Sequence, residues 1–378
     1  MRITEHWIDE PGLQALIAAI AAGGHGVYLV GGCVRNALLG QPVADIDLAT
    51  DATPVEVTQL CEAAGLKVVP TGVEHGTVTV VAAAVAHEVT TFRRDVETHG
   101  RHATIAYSRD MAEDAARRDF TINALYADGR GMVIDPLGGL PDLIARRVRF
   151  VGDPVARIRE DYLRILRFFR FTAWYAADGP DPEGLAACAA ESAGTETLSR
   201  ERIGHEFRRL LAAPDPAPAV ASMAAAGVLA HVLPGADPRA LGPLVHLESG
   251  LAADWLRRLA VLGGEDVEDR LRLSRSESRE LAAVRNALAT GMDPAEAGYR
   301  LGATRGRDAV LIASALAGCE LPGGWADAVA QGALASFPVR AADLPPDLHG
   351  AAIGARLDEM ERRWIASGFR LSREQLLA

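Results

Sequence analysis

The amino-acid sequence predicts an α/β N-terminal head, in which helices surround a mixed sheet, followed by an all-α C-terminal region. Two patterns support this fold class. Up to about residue 140, short runs of β-branched and apolar residues alternate with segments of helical spacing. Beyond that point the strand signals fade, and long helical patterns are separated by proline-rich breaks at 180–182 and 214–218.

The head opens with a helix, a strand and a turn. Apolar residues from Leu13 to Ile20 follow helical spacing after Pro11, and a glycine-rich stretch at 23–26 ends that helix. The run 27–30 (VYLV) is typical of a buried strand. Two glycines then turn the chain into a short helix expected at 34–39.

The other elements of the head follow from strand-like runs and one helix start. Residues 53–56 (TPVE) have the form of a capping box with proline at the first helical position, so a helix should begin there. Strands are expected at 46–49, 66–69, 77–81 and 88–92.

Length and composition restrict the class of protein. A chain of 378 residues exceeds what one hydrophobic core usually supports, so we expect at least two domains. No run approaches the roughly 18–20 apolar residues of a membrane span, and the first residues are polar, unlike a signal peptide. Four widely spaced cysteines favour free thiols over disulfides or a thiolate metal site. We therefore expect a cytoplasmic protein that does not bind membranes.

The charge is distributed unevenly along the chain. A net charge of −11 argues against a general affinity for nucleic acid. Within 143–171, however, arginines outnumber the acidic residues, which are Asp153, Glu160 and Asp161. The arginines of this stripe are Arg146, Arg147, Arg149, Arg157, Arg159, Arg164, Arg167 and Arg170. Such a stripe can bind a polyanion locally while the rest of the chain stays acidic.

Two glycines and two aspartates give the strongest chemical signal. Gly31 and Gly32 lie between a strand and a helix, where a phosphate can approach the backbone amides and Arg35 can reach it. Asp45 and Asp47 follow, and as positions i and i+2 of a strand they place two carboxylates on one face. Alone, these features are also typical of a tight turn and a solvated strand end. Together they favour a nucleotide site in which Mg²⁺ neutralises the paired carboxylates.

These segments carry a family resemblance. Residues 29–36 (LVGGCVRN) and 45–50 (DIDLAT) resemble the signature of class II tRNA nucleotidyltransferases and bacterial poly(A) polymerases, in the polymerase-β-like superfamily. The similarity extends over most of the first 210 residues. It implies that the head is a nucleotidyltransferase domain, which adds nucleotides to an RNA 3′ end without a nucleic-acid template.

The resemblance also implies a third metal-binding carboxylate. Glu88 matches its position, at the start of an otherwise apolar strand. By its surroundings alone, Glu88 is equally typical of an exposed strand end. As a member of the family set it would join Asp45 and Asp47 in holding two Mg²⁺ ions.

Two further segments match the family's nucleotide-binding motifs. Residues 117–124 (RRDFTINA) resemble the ribose-binding segment: Asp119 and Asn123 are expected on one helix face against the sugar hydroxyls, with Arg118 or Arg117 at a phosphate. Residues 160–164 (EDYLR) resemble the amino-acid template. There Asp161 and Arg164, expected to share a helix face, would read the Watson–Crick edge of CTP and ATP. Without the resemblance, this pair would be an ordinary surface ion pair.

Some positions are less closely tied to nucleotide binding. Residues 92–116 show no strong regular pattern and correspond to the family's flexible loop, which takes part in the C-to-A switch. Asn36 and His99 stand where the family commonly has aspartate.

Residues 201–211 resemble the last common motif and are expected to support the pocket structurally. The segment 255–259 (WLRRL) is either an RNA contact or, more in keeping with its pattern, a core-packing helix face.

The expected protein is a CCA-adding enzyme of three segments: a catalytic head at 1–142, a base-reading neck at 143–212, and a tRNA-binding body and tail at 213–378. Its partners would be the tRNA acceptor end, CTP and ATP, with no DNA. Poly(A) polymerase is one alternative, although 72–77 (GVEHGT) lacks the arginine-rich run usual in those enzymes. A catalytically inactive RNA-binding protein on the same fold is the other.

Overall fold

A computed structural model describes residues 1–99, 102–345 and 348–378. For residues 95–99 and 102–105 it describes the backbone alone. These residues form two compact units. The first comprises Met1–Leu210 with Pro218–Val232, and the second Leu211–Ala217 with Leu233–Ala378. The division into head, neck and body at 142 and 212 stays a prediction.

The strands all lie in the first unit. They are β1 (Val27–Val30), β2 (Asp47–Thr50), β3 (Lys67–Val69), β4 (Thr77–Ala82), β5 (Val85–Thr91), β6 (Arg93–His99), β7 (His102–Tyr107), β8 (Tyr126–Ala127) and β9 (Val133–Ile134). Within the described residues, seven of them form one sheet in the order β3-β4-β5-β2-β1-β8-β9. Strands β2 and β5 pair in parallel, and the other strand pairs of this sheet are antiparallel. The predicted mixed sheet is therefore confirmed.

Helices pack around this sheet and continue after it. They are α1 (Pro11–Ala22), α2 (Gly32–Leu38), α3 (Pro54–Ala63), α4 (Met111–Ala116), α5 (Leu140–Ile144), α6 (Pro154–Glu160), α7 (Leu163–Tyr175), α8 (Pro182–Ala190), α9 (Arg200–Leu211), α10 (Ala217–Ala225) and α11 (Val228–Val232). Short 3-10 helices span His6–Asp9, Val73–His75, Thr121–Asn123 and Ser192–Thr197. The capping box predicted at the start of α3 is present: the Thr53 hydroxyl accepts from the Glu56 amide, and the Glu56 carboxylate accepts from the Thr53 amide.

Residues 92–116, which lack a strong sequence pattern, contain regular secondary structure where the chain is described. Strands β6 and β7 form an antiparallel hairpin, with a register shift between Asp95 and Glu97, and α4 follows. Cross-strand pairing stabilises a hairpin even where the sequence lacks a clean alternation, and the sequence pattern therefore missed it. The side chain of His99, and all of Gly100 and Arg101, lie outside the described residues.

An aromatic cluster fixes α7 against the segment that follows α4. The Phe120 ring centroid lies 5.0 Å from that of Phe150 and 5.0 Å from that of Phe171, and the Phe150 and Phe168 rings stack at 5.4 Å. Phe120, Phe150 and Phe168 are fully buried. Because aromatic burial contributes strongly to packing, this cluster holds residue 119 and its neighbours beside the arginines of α7.

The second unit is built from helices, as the sequence predicts. They are α12 (Leu241–Leu247), α13 (Trp255–Leu262), α14 (Val267–Arg270), α15 (Arg275–Thr290), α16 (Pro294–Ala317), α17 (Trp325–Leu334), α18 (Ala351–Ala366) and α19 (Arg373–Leu377), with a 3-10 helix at Ala341–Asp343. Helix α16 changes direction at Gly302, where φ is 75°. In the part of the chain that the structure describes, no helix combines the length and apolarity needed to cross a membrane.

Candidate active site

A cavity of about 430 Å³ in the first unit collects most of the predicted site residues. They are Gly31, Gly32, Arg35, Asp45, Asp47, Arg118, Asp119 and Asn123. The volume is in the range of cavities that hold one small-molecule ligand. Glu88, Asp161 and Arg164 are not among the residues that line it.

The β1–α2 turn forms one wall of the cavity. Gly31 has φ 72° and ψ −117°, a conformation that glycine adopts readily and other residues avoid. A Cβ atom built on Gly31 would lie 3.4 Å from Nη1 of Arg118. The absence of a side chain thus leaves the backbone of the turn open to the cavity beside a guanidinium group.

Arg35 projects from α2 into a buried polar cage. Its Nη2 donates to the Tyr175 hydroxyl at 2.8 Å and to Oδ1 of Asn36 at 2.9 Å, and its Nη1 donates to Oδ1 of Asn123. Its guanidinium carbon lies 4.1 Å from the Tyr175 ring centroid, a cation–π geometry. Among the described residues no carboxylate pairs with Arg35. Burial lowers the pKa of this guanidinium, while the charge of Asp119 raises it. The cage therefore places at the cavity a buried cation without a direct carboxylate partner in the described part of the chain.

The three predicted metal-binding carboxylates lie on neighbouring backbone positions. Asp47 begins β2 and pairs in register with Glu88 of β5, while Asp45 lies in the segment before β2 rather than in the strand. All three side chains are exposed. Protein atoms around the Asp47 carboxylate displace part of its water, and this desolvation raises its pKa. The negative charges of Glu88 and Asp45 raise the pKa of Asp47 further.

This donor set fits a hard divalent cation. Carboxylate oxygens are the ligands that Mg²⁺ prefers, and the repulsion that raises the pKa of Asp47 is relieved by a bound cation. In the described part of the chain, no three His, Cys, Asp or Glu side chains already converge on a single point. Which residues bind the metal therefore stays a prediction.

Arg118, rather than Arg117, lines the cavity. Its Nη2 donates to Oδ2 of Asp114 at 3.0 Å and its Nε to the Tyr126 hydroxyl at 3.2 Å, while Tyr126 donates to Asp114 at 2.6 Å. Asp114 is 1% exposed. Burial raises the pKa of Asp114, but the positive charges of Arg118 and Arg117 outweigh burial and lower this pKa overall. Asp114 thus fixes the direction of Arg118, and Arg117 is directed away from the cavity onto the same carboxylate.

The predicted ribose pair is connected, although not by an α-helix. Thr121–Asn123 is a 3-10 helix and Asp119 precedes it, so the expected shared α-helical face was wrong. The two side chains nevertheless meet: Nδ2 of Asn123 donates to Oδ1 of Asp119 at 2.9 Å. Nε of Arg167, on α7, donates to Oδ2 of Asp119 at 2.7 Å. Burial alone would raise the pKa of Asp119, but Arg167 and these hydrogen bonds lower it to about 2.

The predicted base-reading pair is separated by a break between two helices. Asp161 has φ −154° and ends α6, whereas Arg164 lies in the first turn of α7, so the expected shared helix face was wrong. Oδ2 of Asp161 pairs with Arg202 of α9 at 2.6 Å, and Nη1 of Arg164 pairs with Oε2 of Glu160 at 2.5 Å. Oδ1 of Asp161 accepts from the Leu163 amide at 3.1 Å, and the extended backbone of Asp161 ends α6 before α7 begins.

Comparison with known proteins agrees with this geometry. Residues 27–149 match the family described as Poly A polymerase head domain, and residues 180–239 match the probable RNA and SrmB-binding site of polymerase A. The mitochondrial CCA tRNA nucleotidyltransferase 1 of Mus musculus is 33% identical over 387 residues, which cover 97% of this chain and 89% of that protein. This chain belongs to the CCA tRNA nucleotidyltransferase family.

Bacterial members of the CCA tRNA nucleotidyltransferase family are similar as well. The CCA-adding enzyme of Geobacillus thermodenitrificans is 38% identical over 239 residues, covering 63% of this chain and 54% of that enzyme. The crystal structure of the Bacillus stearothermophilus CCA-adding enzyme in complex with CTP superposes with a TM-score of 0.72 at 29% identity, covering 95% of this chain and 94% of that one. The recognised family and the predicted fold class are thus confirmed.

In this member of the CCA tRNA nucleotidyltransferases, α7 and α9 supply cavity residues that the sequence patterns did not assign. They are Arg167, Arg170, Phe171, Tyr175 and Arg209. Glu206 of α9, 3% exposed, accepts from Nε of Arg170 at 2.5 Å and lies 3.9 Å from Arg167. The i, i+3 spacing of Arg167 and Arg170 was a signal that could have placed both on one helix face. The contact of Glu206 with α7 supports the structural role expected for 201–211.

The arginine-rich segment does not form one continuous basic stripe. Arg146, Arg147, Arg149 and Arg159 are exposed, whereas Arg157, Arg164, Arg167 and Arg170 are half-buried or buried. Ion pairs with carboxylates occur in both groups, for example Arg149 with Asp142 and Arg164 with Glu160. A count of charges along the chain cannot distinguish the two groups, because burial is set by packing between elements.

Proposed function

We propose that this chain adds C, C and A in succession to the 3′ end of tRNA, taking the nucleotides from CTP and ATP and releasing pyrophosphate. The observation that carries this function is the single cavity that combines the glycine turn, the acidic pair and the Asp119–Asn123 pair. The CTP complex of the similar Bacillus stearothermophilus enzyme and the tRNA named in the mouse relative support the choice of substrates.

The mechanism follows from the charges at the cavity. The backbone at Gly31 and Gly32 and the guanidinium groups of Arg35 and Arg118 bind and orient the triphosphate. Asp119 is ionised at neutral pH because its pKa is lowered to about 2, so it accepts a hydrogen bond from a ribose hydroxyl. Selection of a ribonucleotide follows from such a contact to the 2′-OH.

Asp45, Asp47 and Glu88 are the proposed ligands of Mg²⁺. Bound there, the metal would supply the positive charge that favours in-line attack of the tRNA 3′-hydroxyl on the α-phosphate. Asp45 and Asp47 line the cavity with Gly31, and Glu88 is in register with Asp47, so together they would hold the metal beside the bound triphosphate.

Asp161 and Arg164 are the proposed readers of the base. The carboxylate offers acceptors and the guanidinium donors, which match the amino and ring-nitrogen groups of cytosine and adenine. To do so, Asp161 exchanges its bond with Arg202, and Arg164 exchanges its bond with Glu160. Both bonds are partly exposed to solvent, so their net free energies are small enough for substrate to replace them.

The deciding experiment uses a tRNA transcript that ends at the discriminator base, with Mg²⁺ and all four nucleoside triphosphates, followed by sequencing of the product 3′ ends. Termination after C-C-A is the expected result. A long adenosine tail would identify a poly(A) polymerase, and a stop at C-C a partial enzyme. Transcript binding without extension would identify an RNA-binding protein.

The double variant Asp45→Ala, Asp47→Ala tests the catalytic centre. Addition is expected to be lost while thermal unfolding stays close to that of the parent protein, because both side chains are exposed. Glu62→Ala is the matched control: it removes an exposed carboxylate from α3, outside the cavity. Activity of the double variant equal to that of the control would refute the metal assignment.

We also propose a cytoplasmic location. The described cysteines are free thiols, as is usual in a reducing compartment. Because the mouse relative is mitochondrial, fractionation of the native host is the measurement that decides.

A further inference from the structure

Arg209, in the last turn of α9, differs from the other arginines that line the cavity. Its side chain is exposed, whereas Arg35 and Arg170 are buried. Arg167 and Arg170 pair with Asp119 and Glu206. Across residues 1–99, 102–345 and 348–378, no side chain forms an ion pair or hydrogen bond with the guanidinium of Arg209.

The backbone of Arg209 is held in place from α7. Nε1 of Trp174 donates to the Arg209 carbonyl at 2.8 Å, one helical turn after the Glu206–Arg170 ion pair. The position of the residue is therefore fixed by two contacts between α7 and α9, while its side chain stays free to meet a ligand. An arginine on an unconstrained part of the surface would also have a free side chain, but its position would not be fixed.

The surroundings of Arg209 carry positive charge in excess. Burial lowers the pKa of Arg170, and the charges of Arg167 and Arg209 lower it further, while Glu206 opposes them. Three arginines here face two partner carboxylates, Asp119 and Glu206, and the remaining positive charge attracts a polyanion.

Both the nucleotide and the RNA carry phosphates that Arg209 could bind. The solvent exposure of the Arg209 side chain favours the RNA. The groups proposed for the triphosphate lie in the β1–α2 turn, in the buried cage of Arg35, and at Arg118, which Asp114 and Tyr126 hold beside Gly31. The glycine turn, Arg35 and the acidic pair place the triphosphate and the reacting 3′-hydroxyl in the cavity, and the RNA strand that carries this hydroxyl must pass the exposed lining residues. An exposed cation among the lining residues meets that strand.

We propose that Arg209 binds a backbone phosphate close to the 3′ end of the tRNA, and so positions the primer rather than the incoming nucleotide. This inference rests on the proposed function, because it presupposes a tRNA primer. Arginine suits the role, since its planar donors match phosphate oxygens. It would add a cavity-lining contact to the primer, beyond the residues that bind the nucleotide.

Steady-state kinetics of Arg209→Ala provide the first test, with a tRNA transcript ending in C-C as primer and ATP as the nucleotide. The KM for the tRNA should rise about fivefold, the upper range for one exposed charge contact, and the KM for ATP should not change. The plot of log affinity for tRNA against log salt should become shallower by about 0.7, as expected for one lost single-strand phosphate contact. Arg209→Lys should restore most of the affinity.

Arg200→Ala is the matched control, because it removes one positive charge from the first turn of the same helix without affecting the cavity lining. Its kinetic constants should equal those of the parent protein. A rise in the KM for ATP in Arg209→Ala, without a change for tRNA, would show that Arg209 binds the triphosphate and would overturn the proposal. Unchanged constants for both substrates would overturn it too, while leaving CCA addition itself untouched.

A second test locates the phosphate. Each of the last three phosphodiesters of the primer is replaced in turn by an uncharged methylphosphonate. One replacement should weaken binding to the parent protein about as much as Arg209→Ala does, and should have no further effect on that variant, because the same contact is already lost. Additive effects at all three linkages would exclude a contact between Arg209 and the primer end.

Discussion

Single residues in the cavity are oriented mainly by neighbouring side chains rather than by solvent. Arg118 is held by Asp114 and Tyr126, and Asp119 is held by Arg167 and Asn123. Because Asp114 and Asp119 are buried, dissolved salt screens these interactions little. A bound nucleotide would therefore meet donors and acceptors whose directions are already fixed, which reduces the reorganisation needed for transfer.

The lowered pKa of Asp119 makes a prediction about pH and stability. Its pKa is about 2 in the folded chain and about 3.9 when unfolded, so the carboxylate stabilises the fold above about pH 5. As pH falls through about 4 toward 2, this contribution of about 2–3 kcal/mol should be lost.

Urea unfolding of the parent protein and of Asp119→Asn, from pH 6 down to pH 3, measures this contribution. The difference in unfolding free energy between the two should be largest at pH 6 and should shrink steadily as the solution is acidified. A difference that is constant over this range would mean that the ionised carboxylate does not contribute.

At the scale of elements, short breaks in regular structure position the chemistry. The β1–α2 turn exposes backbone at Gly31, and the break at Asp161 separates α6 from α7. The parallel β2–β5 pairing brings Asp47 and Glu88 to the same register position, although the two residues are far apart in the chain. Regular elements thus set the distances, and their ends supply the reactive groups.

Gly31→Ala tests the turn. The φ of 72° and ψ of −117° are strained for alanine, at a cost of about 1–3 kcal/mol, and the added methyl group would contact Nη1 of Arg118. The KM for CTP should rise at least several-fold, in addition to a lower unfolding temperature.

Gly40→Ala provides the comparison, because Gly40 also has a positive φ, 64°, but nothing lies within 4 Å of an added Cβ. It should lower stability by about 1–2 kcal/mol and leave the KM for CTP unchanged. If both variants altered CTP binding equally, backbone strain alone would explain the effect, and the close approach at Gly31 would have no part in it.

At the scale of the whole molecule, each unit contains its own buried charge network. In the second unit Glu248, 3% exposed, pairs with Arg257 at 2.6 Å and with Arg258 at 2.7 Å. Arg258 also donates to the carbonyl oxygens of Leu211 and Ala213. Both arginines are buried, so 255–259 is a core-packing face, the interpretation that its sequence pattern favoured over an RNA contact.

Removing the charge of Glu248 should destabilise the second unit strongly. In Glu248→Gln two buried guanidinium groups lose their shared carboxylate, and the expected loss is about 3 kcal/mol of unfolding free energy. Asp237→Asn is the control, because the Asp237–Arg239 pair is exposed and should change stability by less than about 1 kcal/mol. Calorimetry of the intact chain distinguishes the two. Equal stability of both variants would contradict a structural role for the buried network.

The sequence by itself determined the fold class, the order of the motifs and the glycine turn and acidic pair of the cavity. Strand and helix spacing arise from local periodicity, and Gly31, Gly32, Asp45 and Asp47 could be selected because turn and strand geometry act over a few residues. The family resemblance added Arg118, Asp119 and Asn123 as well as Glu88, Asp161 and Arg164, because the surroundings of these residues in the sequence are also typical of positions without a nucleotide-binding role.

Tertiary structure alone decided which charges face the cavity. Arg167 bonds Asp119 across 48 positions of sequence, and Arg35 meets Tyr175 across 140, so no local pattern could pair them. The helical register proposed for residues 161 and 164 was wrong because the backbone of Asp161 is extended, with φ −154° and ψ 106°, and interrupts the helix between the two residues. Local spacing specifies which elements form, but the partner of a buried charge is set by packing between elements that are distant in the chain.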